Sequence, residues 1–377
     1  MTAHDAALAA YLETFDEETG YLDFARVGPI SSTAVAEQAA ASALLARAAA
    51  ETLDELFRQD ARVREAVAAL VRFPADRIVF QPNTSTGLMH ALLGVPGAVL
   101  LSPGEFPSLP FAAVRTAALR GERSPVWLEG AAGHVTPAGV REQLTPEIAA
   151  VALSLVDSRT GYVADLEGIR DVIGDRLLVV DAIQGFGVVG APYELADVVV
   201  SGGQKWVRAG WGTGFLALGD RALSRLAPLL SGWTGADAPE PWDEVGAPRA
   251  GAGAFSITNP DPIAQARLAA ALEDIAAVGV PAVAARVADR VSAIIDLADE
   301  FGLAVVGSRD ERSRAGIVVL EPAPEELGPL SAALAAHGVT ARLRPGTVRF
   351  SAHASTTDET LAVLRSALVS AATVVEY

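Results

Sequence analysis

Short apolar runs alternate with helical stretches along most of the chain before residue 220. Seven of these runs are bounded by turn residues and have the length and the apolar character of buried strands. Helical stretches separate most of them, which predicts an α/β fold with a seven-stranded, mainly parallel sheet covered on both faces. The predicted strands are residues 77–80, 98–101, 125–128, 148–155, 177–180, 197–200 and 215–218.

The remaining segments have different patterns. An alanine-rich stretch over 32–70 has helical periodicity and a predicted break near Asp60, and residues 231–253 predict a long loop because Gly, Pro and Trp recur there without periodicity. Helices are predicted from near Pro260 to Ala277 and over 281–301. The rest predicts strand 317–320, helix 325–337, strands 340–343 and 348–351, and helix 357–371. We therefore expect an arm (1–30), a large α/β domain (31–255) and a smaller C-terminal α+β domain (256–377).

Composition narrows the possible functions. With 51% hydrophobic residues in 377, the chain can bury a large core, and its net charge of −17 argues against a nucleic-acid surface. The absence of cysteine excludes disulfides, thiolate metal sites and cysteine nucleophiles, and the five histidines have no metal-ligand spacing, so no metal is expected. The first residues lack a secretory pattern and no apolar run has the length of a membrane span, which favours a cytoplasmic enzyme without a membrane partner.

Lys205 is the single lysine among 29 basic residues. Arginine stays protonated near neutral pH, whereas a partly buried lysine can lose its proton. A chain that otherwise uses arginine is expected to keep a lysine where a neutral amine is needed, for example in a Schiff base with a carbonyl. The alternative is a surface lysine with no chemical role.

Asp181 ends the predicted strand 177–180, and Lys205 follows the next strand in the motif Ser201-Gly202-Gly203-Gln204-Lys205. An acid and a lysine beyond neighbouring strands suit a cofactor that has a basic ring nitrogen and an aldehyde. Pyridoxal 5'-phosphate (PLP) has both, and a carboxylate keeps its ring nitrogen protonated.

The sequence VVDAIQGFG, followed by ADVVVSGGQKW and GWGTGFLAL, resembles the core signature of class V aminotransferases. The resemblance implies fold type I of PLP-dependent enzymes, PLP as the cofactor and a homodimer with active sites between its subunits. It places the PLP phosphate on Thr84 and Ser85, an aromatic ring that stacks on the cofactor at Phe106, and a hydrogen bond to the ring hydroxyl at Ser158. An ordinary helix cap at Thr84, a core role for Phe106 and a plain turn at Ser158 are the alternatives.

Other positions follow the family only in part. Gln184 is expected to hydrogen-bond the phenolic oxygen of the ring. Gln204 stands where the family commonly has histidine and Gly202 where it commonly has serine, which changes the expected phosphate contacts. Thr258 and Asn259 match, with an altered motif, a loop that in relatives reaches the phosphate of a neighbouring subunit.

Arg349 lies in the motif Arg-Phe-Ser-Ala-His, in which the family's arginine grips the substrate carboxylate. Arg159 is a second candidate for substrate binding. The rival dinucleotide-binding pattern Gly185-Phe186-Gly187-Val188-Val189-Gly190 has no room for the helix it must open.

These features predict a PLP-dependent enzyme that acts on an α-amino acid, with Lys205 and Asp181 as catalytic residues. Transamination, with a 2-oxo acid as the partner substrate, is the first choice by family frequency. A carbon–sulfur lyase or an amino-acid epimerase is the alternative, and a non-catalytic family member is a remote one. The lack of cysteine excludes a desulfurase that uses a cysteine persulfide carrier.

Overall fold

The computed structural model describes residues 3–121, 125–130, 134–238 and 244–375. Residues 1–2 of the predicted arm, 239–243 of the predicted loop and 376–377 of the predicted C-terminal domain lie outside the described residues.

A seven-stranded sheet forms the centre of the large α/β unit. Its spatial order is β1-β7-β6-β5-β4-β2-β3, with parallel pairing throughout β3, β2, β4, β5 and β6 and antiparallel pairing on both sides of β7. All seven predicted strands are present, and the mainly parallel sheet is confirmed. The strands are β1 (Ile78–Phe80), β2 (Ala98–Leu101), β3 (Val126–Trp127), β4 (Ile148–Ser154), β5 (Leu177–Asp181), β6 (Val198–Gly202) and β7 (Gly214–Leu218).

The register of the parallel strands sets the position of the candidate site. Ser154 on β4 lies opposite Asp181 on β5, and Asp181 lies opposite Val200 on β6. The C-terminal ends of β4, β5 and β6 therefore meet at one edge, where open α/β sheets bind ligands. β5 and β6 are buried along their whole length, as their continuous apolar sequences predict.

Thirteen α-helices occur in the described residues. They are α1 (Ala3–Leu12), α2 (Ser32–Arg47), α3 (Ala50–Phe57), α4 (Gln59–Val71), α5 (Thr84–Leu93), α6 (Ser108–Leu119), α7 (Pro137–Gln143), α8 (Leu166–Ile173), α9 (Asp220–Arg225), α10 (Pro262–Val278), α11 (Val280–Glu300), α12 (Pro324–Ala336) and α13 (Asp358–Val375).

The alanine-rich stretch has two breaks, of which the sequence analysis predicted one. The chain breaks at Arg58 and also at Ala48, which has a left-handed conformation with φ of 45°. No glycine or proline marks the second break in the sequence. The break turns α3 so that Leu56 packs with Ala41 and Ala266, a tertiary contact that overrides alanine's helix propensity.

A second, four-stranded antiparallel sheet has the order β10-β11-β9-β8. Its strands are β8 (Ala304–Val306), β9 (Ile317–Glu321), β10 (Arg342–Arg344) and β11 (Thr347–Ser351). The sequence analysis missed β8, a half-exposed edge strand of three residues without a buried pattern. The domain boundary at 255/256 stays a prediction, and α10 packs against α2 and α4 of the first unit.

The N-terminal segment is held by Arg208, whose side chain is completely buried. Its guanidinium pairs with Glu17 at 2.6 Å, donates to Pro29 O at 2.5 Å and to Ser355 Oγ at 2.8 Å, and lies 3.8 Å from the ring centroid of Phe15. One side chain thus joins the N-terminal segment, the turn after β6 and the segment after β11. We call Arg208 with these partners the Arg208 network.

No single helix in the described part of the chain has the length and apolarity of a membrane span. Helices α10 and α11 pass such a test only when taken together across a bend of 85°.

Candidate active site

Lys205 lies in the turn that follows β6, and the N-terminal segment crosses directly over it. Gly28 N donates to Gln204 O at 2.9 Å. A Cβ at Gly28 would lie 1.9 Å from Lys205 O, so no other residue fits at this crossing without a backbone shift. The segment before residue 30, expected to be an arm, is therefore packed on the lysine turn.

The amine of Lys205 is buried and has no hydrogen-bond partner among the described residues, and the residue is 8% exposed. Its Nζ lies 5.1 Å from the ring centroid of Phe106. Burial lowers the pKa of Lys205 to about 8; the Asp181 carboxylate opposes this shift, and the Arg349 charge adds to it. The amine can therefore lose its proton close to neutral pH.

Asp181 ends β5 beside this amine. Its Oδ1 accepts a hydrogen bond from Ile183 N at 3.0 Å, while its Oδ2 is buried without a partner. Burial raises the pKa of Asp181 to about 6. A buried carboxylate oxygen that lacks a partner costs about 1–3 kcal/mol or more, and an N–H cation placed against Oδ2 would remove that cost.

The start of α5 supplies an anion site near the same edge. Asn83 caps the helix by accepting from Thr86 N at 2.9 Å, which leaves the first N–H groups of the helix pointing outward. Thr84 is buried and its Oγ1 has no partner. Ser85 is exposed, and its Oγ lies 2.8 Å from Ser108 Oγ.

Gly202 and Gln204 depart from the family pattern together, and the structure gives a reason. A Cβ at Gly202 would lie 2.4 Å from Gln204 Oε1 and 3.0 Å from Thr84 Oγ1. The glutamine side chain thus occupies space that a side chain at 202 would need. Its Oε1 and the neighbouring Ser201 Oγ are both buried without partners.

These atoms allow a test of whether PLP fits. A phosphate needs donors, which Thr84, Ser201 and the start of α5 offer, and a half-turn of the Gln204 amide would add Nε2. A pyridinium N–H needs an acceptor, which Asp181 Oδ2 offers. Four buried polar atoms without partners, at the start of α5 and at or just after the ends of β5 and β6, match the two polar ends of PLP. They are Thr84 Oγ1, Asp181 Oδ2, Ser201 Oγ and Gln204 Oε1.

Gln184 has two hydrogen bonds within the protein, and its expected contact with the ring stays a prediction. Its Oε1 accepts from Trp206 Nε1 at 2.9 Å and its Nε2 donates to Ala25 O at 2.9 Å. One amide hydrogen remains for the phenolic oxygen of the ring. The main contacts of Gln184 tie the N-terminal segment to the residue after Lys205, a tertiary role that its sequence position does not indicate.

Arg349 is buried, with 4% exposure, on β11. It donates from Nη1 to Ser158 O at 3.0 Å and pairs through Nη2 with Asp23 at 3.3 Å, while its Nε has no partner. The Ser158 contact is made by the backbone, so the expected contact of the Ser158 side chain stays a prediction. Arg159 is exposed. Arg349 keeps three N–H groups available for a carboxylate.

Phe106 and Ser158 also line a cleft of about 440 Å³. Phe106 is 39% exposed, so its ring is a wall of the site and not part of the core. The core alternative for this residue is therefore wrong.

Thr258 and Asn259 line a different cleft of about 710 Å³, which does not include Lys205, Asp181 or Arg349. Both are exposed, and Thr258 Oγ1 accepts from Trp233 Nε1 at 3.3 Å. Within one chain they are thus not brought together with the lysine, and their role at a neighbouring subunit stays a prediction.

Two acids at the site were missed from the sequence. Asp23 pairs with Arg349, and the only local signal was an acid inside an apolar extended stretch. Glu105 is 7% exposed, and its Oε2 accepts from Ser154 N at 3.1 Å. Burial raises the pKa of Glu105 to about 7, and the Asp181 charge contributes. Its position directly before Phe106 gave no sign of this burial.

Among the described residues no group of three His, Asp or Glu side chains could hold a metal ion. The candidate site brings together one amine, the acids Asp181 and Glu105 and the start of α5.

The chain is similar to proteins of known family and fold. The family model "Aminotransferase class-V" matches residues 32–360. A kynureninase from Deinococcus radiodurans is 28% identical over 234 residues. That alignment covers 59% of this chain and 55% of the kynureninase, so the chain spans about half the length of the curated relative it matches.

Solved structures with the same fold cover nearly the whole chain. An apo cysteine desulfurase from Thermococcus onnurineus has a TM-score of 0.81 at 20% identity, over 92% of each chain. The cystine C–S lyase C-DES, in complex with its product cysteine persulfide, has a TM-score of 0.83 at 20% identity, over 93% of this chain and 97% of that one. At this identity the likeness establishes the fold.

Proposed function

Because the chain belongs to the class V aminotransferase family, whose cofactor is PLP, we propose that it transfers the amino group of an α-amino acid to a 2-oxo acid. The observation that carries the proposal is a single buried amine beside Asp181, with Arg349 close enough for its charge to act on that amine. PLP, when bound, supplies a protonated ring that withdraws electrons from the substrate's Cα.

We propose that Lys205 moves the proton at the substrate's Cα. A base works best when its pKa lies near the working pH, and that of Lys205 is lowered to about 8. The amine has no hydrogen-bond partner to give up among the described residues, and its Nζ lies over the Phe106 ring. A single base that can take up and release a proton, as the Lys205 amine can, is enough to move that proton from one carbon atom to another nearby.

The other residues hold the reactants in place. Arg349 offers its free N–H groups to the substrate carboxylate, and the start of α5, with Thr84, Ser201 and Gln204, offers donors to the phosphate. Asp181 Oδ2 would keep the proton on the ring nitrogen. Each role uses an atom that lacks a partner among the described residues.

A carbon–sulfur lyase is the second candidate, because Glu105 offers a group that transamination does not need. Its pKa of about 7 means that about half of it is protonated at neutral pH, and it lies next to Phe106 on the wall of the cleft. A protonated carboxyl there could donate to a leaving thiolate. The Glu105→Gln variant should then lose elimination and keep amino-group transfer.

A half-reaction assay tests the proposal. Protein loaded with PLP is incubated with a panel of amino acids, without a 2-oxo acid, and the products are separated by chromatography. We expect pyridoxamine phosphate to accumulate in amounts stoichiometric with the protein, and Lys205→Ala to yield none. Release of pyruvate or of a D-amino acid without pyridoxamine phosphate would replace transamination by elimination or by epimerisation.

We also propose a homodimer, supported by the exposed Thr258 and Asn259 and by the neighbouring Ile257, which is 44% exposed in a large cleft. Light scattering would measure a mass near twice 38.9 kDa. A cytoplasmic location stays a prediction.

A further inference from the structure

We propose that the substrate is an α-amino acid whose side chain has a bulky apolar body and ends in an anionic group such as a carboxylate. The side chain would lie in the cleft that opens beside Phe106, with its anionic end at Arg159 and Arg344. This inference rests on the proposed function and adds the substrate class.

The cleft has one apolar wall and one cationic wall. Phe106 and Phe111 contribute aromatic surface, and both are exposed, by 39% and 64%. Pro103, Pro107 and Pro110 extend this wall. Exposed aromatic rings that line a concave space are typical of binding surfaces.

The lining of the cleft does not include Lys205, Asp181 or Arg349, but two of its residues contact Lys205 and Arg349. Phe106 is the ring over the Lys205 amine, and Ser158, also in the lining, accepts from Arg349 through its backbone oxygen. A substrate held at its carboxylate by Arg349, with its amino group near Lys205, would therefore direct its side chain along this cleft. A volume of about 440 Å³ is far more than a short side chain requires.

The cationic lining residues of the cleft are Arg159 and Arg344, and neither guanidinium has an ion-pair partner among the described residues. Arg342 and Arg344 lie close to Arg349: burial lowers the pKa of Arg349, Asp23 opposes this shift, and both neighbouring charges lower that pKa further. Burial raises the pKa of Asp23, and the charges of Arg349, Arg26 and Arg342 oppose this shift. Five arginines thus converge here, in a chain with a net charge of −17.

The nearby acids are already engaged. Asp23 pairs with Arg349, and Asp157 Oδ1 accepts from Arg159 N, Thr160 N and Thr160 Oγ1. Glu105 accepts a hydrogen bond from Ser154 N. Burial raises the pKa of the Glu105 carboxyl to about 7, so this group is partly protonated and neutral near pH 7. The cationic charge at the end of the cleft therefore exceeds the acidic charge, and an anion there would be attracted.

Ligand affinity can be measured without turnover. The visible spectrum of the protein loaded with PLP is titrated with 4-carboxy-L-phenylalanine, 4-carbamoyl-L-phenylalanine, L-phenylalanine and L-alanine. The first two have the same shape and differ in charge. We expect the carboxylate to bind about tenfold more tightly than the amide, since two partly exposed charge contacts each contribute a few-fold.

Variants assign the preference to the cleft. Arg159→Gln and Arg344→Gln should each reduce the carboxylate-to-amide ratio by about two- to fivefold, and the double variant should abolish it. Arg47→Gln, an exposed arginine at the end of α2, is the matched control and should leave the ratio unchanged. Raising the salt concentration should lower the ratio in the unmodified protein and not in the double variant.

The outcomes separate this inference from the function on which it rests. Equal binding of carboxylate and amide, or a preference that survives in the double variant, overturns the substrate class while any spectral response keeps the PLP function. Tight binding of L-alanine alone also overturns it. If no amino acid changes the spectrum, the proposed function fails and the substrate class fails with it.

Discussion

Lys205 and Arg208 are three residues apart, and both are buried cations, yet their surroundings are opposite. Arg208 has an ion pair with Glu17, hydrogen bonds to Pro29 and Ser355, and an aromatic ring at 3.8 Å. The Lys205 amine has no hydrogen bond among the described residues, and Asp181, whose charge acts on it, has a buried Oδ2 without a partner. Arg208 therefore has partners for its charge within the protein, whereas the Lys205 amine has none among the described residues.

The difference follows from what each charge can do. Arginine cannot be deprotonated, so burying it demands a full set of partners, and the Arg208 network supplies them. Lysine can be buried without partners because it can release its proton, as its pKa of about 8 indicates. The Arg208 network holds the backbone of the turn that contains Lys205. The Lys205 amine has no hydrogen bond among the described residues and is therefore available to a ligand.

The largest effect is expected from Lys205→Ala. Loss of the proton-moving base alone should lower turnover by about 10²–10⁴-fold, and the visible absorbance of the PLP-loaded protein should change because no other lysine exists in the chain. Absorbance and turnover are recorded together. Lys205→Arg is the matched control: it keeps a cation and should be equally inactive. An active arginine variant would show that charge, and not a releasable proton, is what matters.

The second prediction compares the stability of the two cations in the cofactor-free protein. Arg208→Met leaves Glu17 buried without its cation and should lower the free energy of unfolding by about 3–5 kcal/mol. Lys205→Met removes an amine that is costly to bury and should be neutral or stabilising. Urea denaturation measures both.

The double variant Arg208→Met with Glu17→Gln should regain part of the loss, because the uncompensated carboxylate is gone. Equal destabilisation by Lys205→Met and Arg208→Met would remove the contrast between the two cations.

The third prediction concerns pH. The pKa of Lys205 in the folded protein, about 8, lies below its ordinary 10.5. Between these values the unfolded chain holds a proton that the folded protein has released, so the free energy of unfolding should rise with pH in this window. The same free energy, measured for Lys205→Met, should lack this rise.

Selective acylation gives an independent reading of the same group. The peptide that contains Lys205, the single lysine, is quantified by mass spectrometry after brief labelling of the cofactor-free protein at each pH. Labelling should increase around pH 8. An increase only above pH 10 would contradict the effect of burial.

The smallest effect is expected at the phosphate end. Gly202→Ser would place a Cβ 2.4 Å from Gln204 Oε1 and should weaken PLP binding by about tenfold, within the range of over-packing costs. Fluorescence titration with PLP measures the affinity. Gly202→Ser with Gln204→Ala should restore most of it, and Gln204→Ala alone shows what the glutamine contributes. No rescue in the double variant would mean that the two positions are independent.

Local pattern was enough to predict the large sheet. β5 and β6 are continuous apolar runs, and a buried parallel strand has this sequence because both of its faces are covered. The ends of such strands converge by topology, so Asp181 and the turn of Lys205 could be placed near each other from sequence alone. Helix ends were harder to predict, because the break at Ala48 depends on how α3 packs and not on a breaker residue.

The sequence by itself therefore determined the fold class and the family through its periodicity and motifs, and its residue types singled out Lys205 as the candidate to lose a proton. Tertiary structure alone decided the partners: Asp23 meets Arg349 from 326 positions away, and Glu17 meets Arg208 from 191. It also decided that Glu105 is buried and that Gln204 fills the space beside Gly202. The partners of a side chain, its burial and the free volume beside it depend on segments distant in sequence. Partners and burial in turn set the charge of each group at the site.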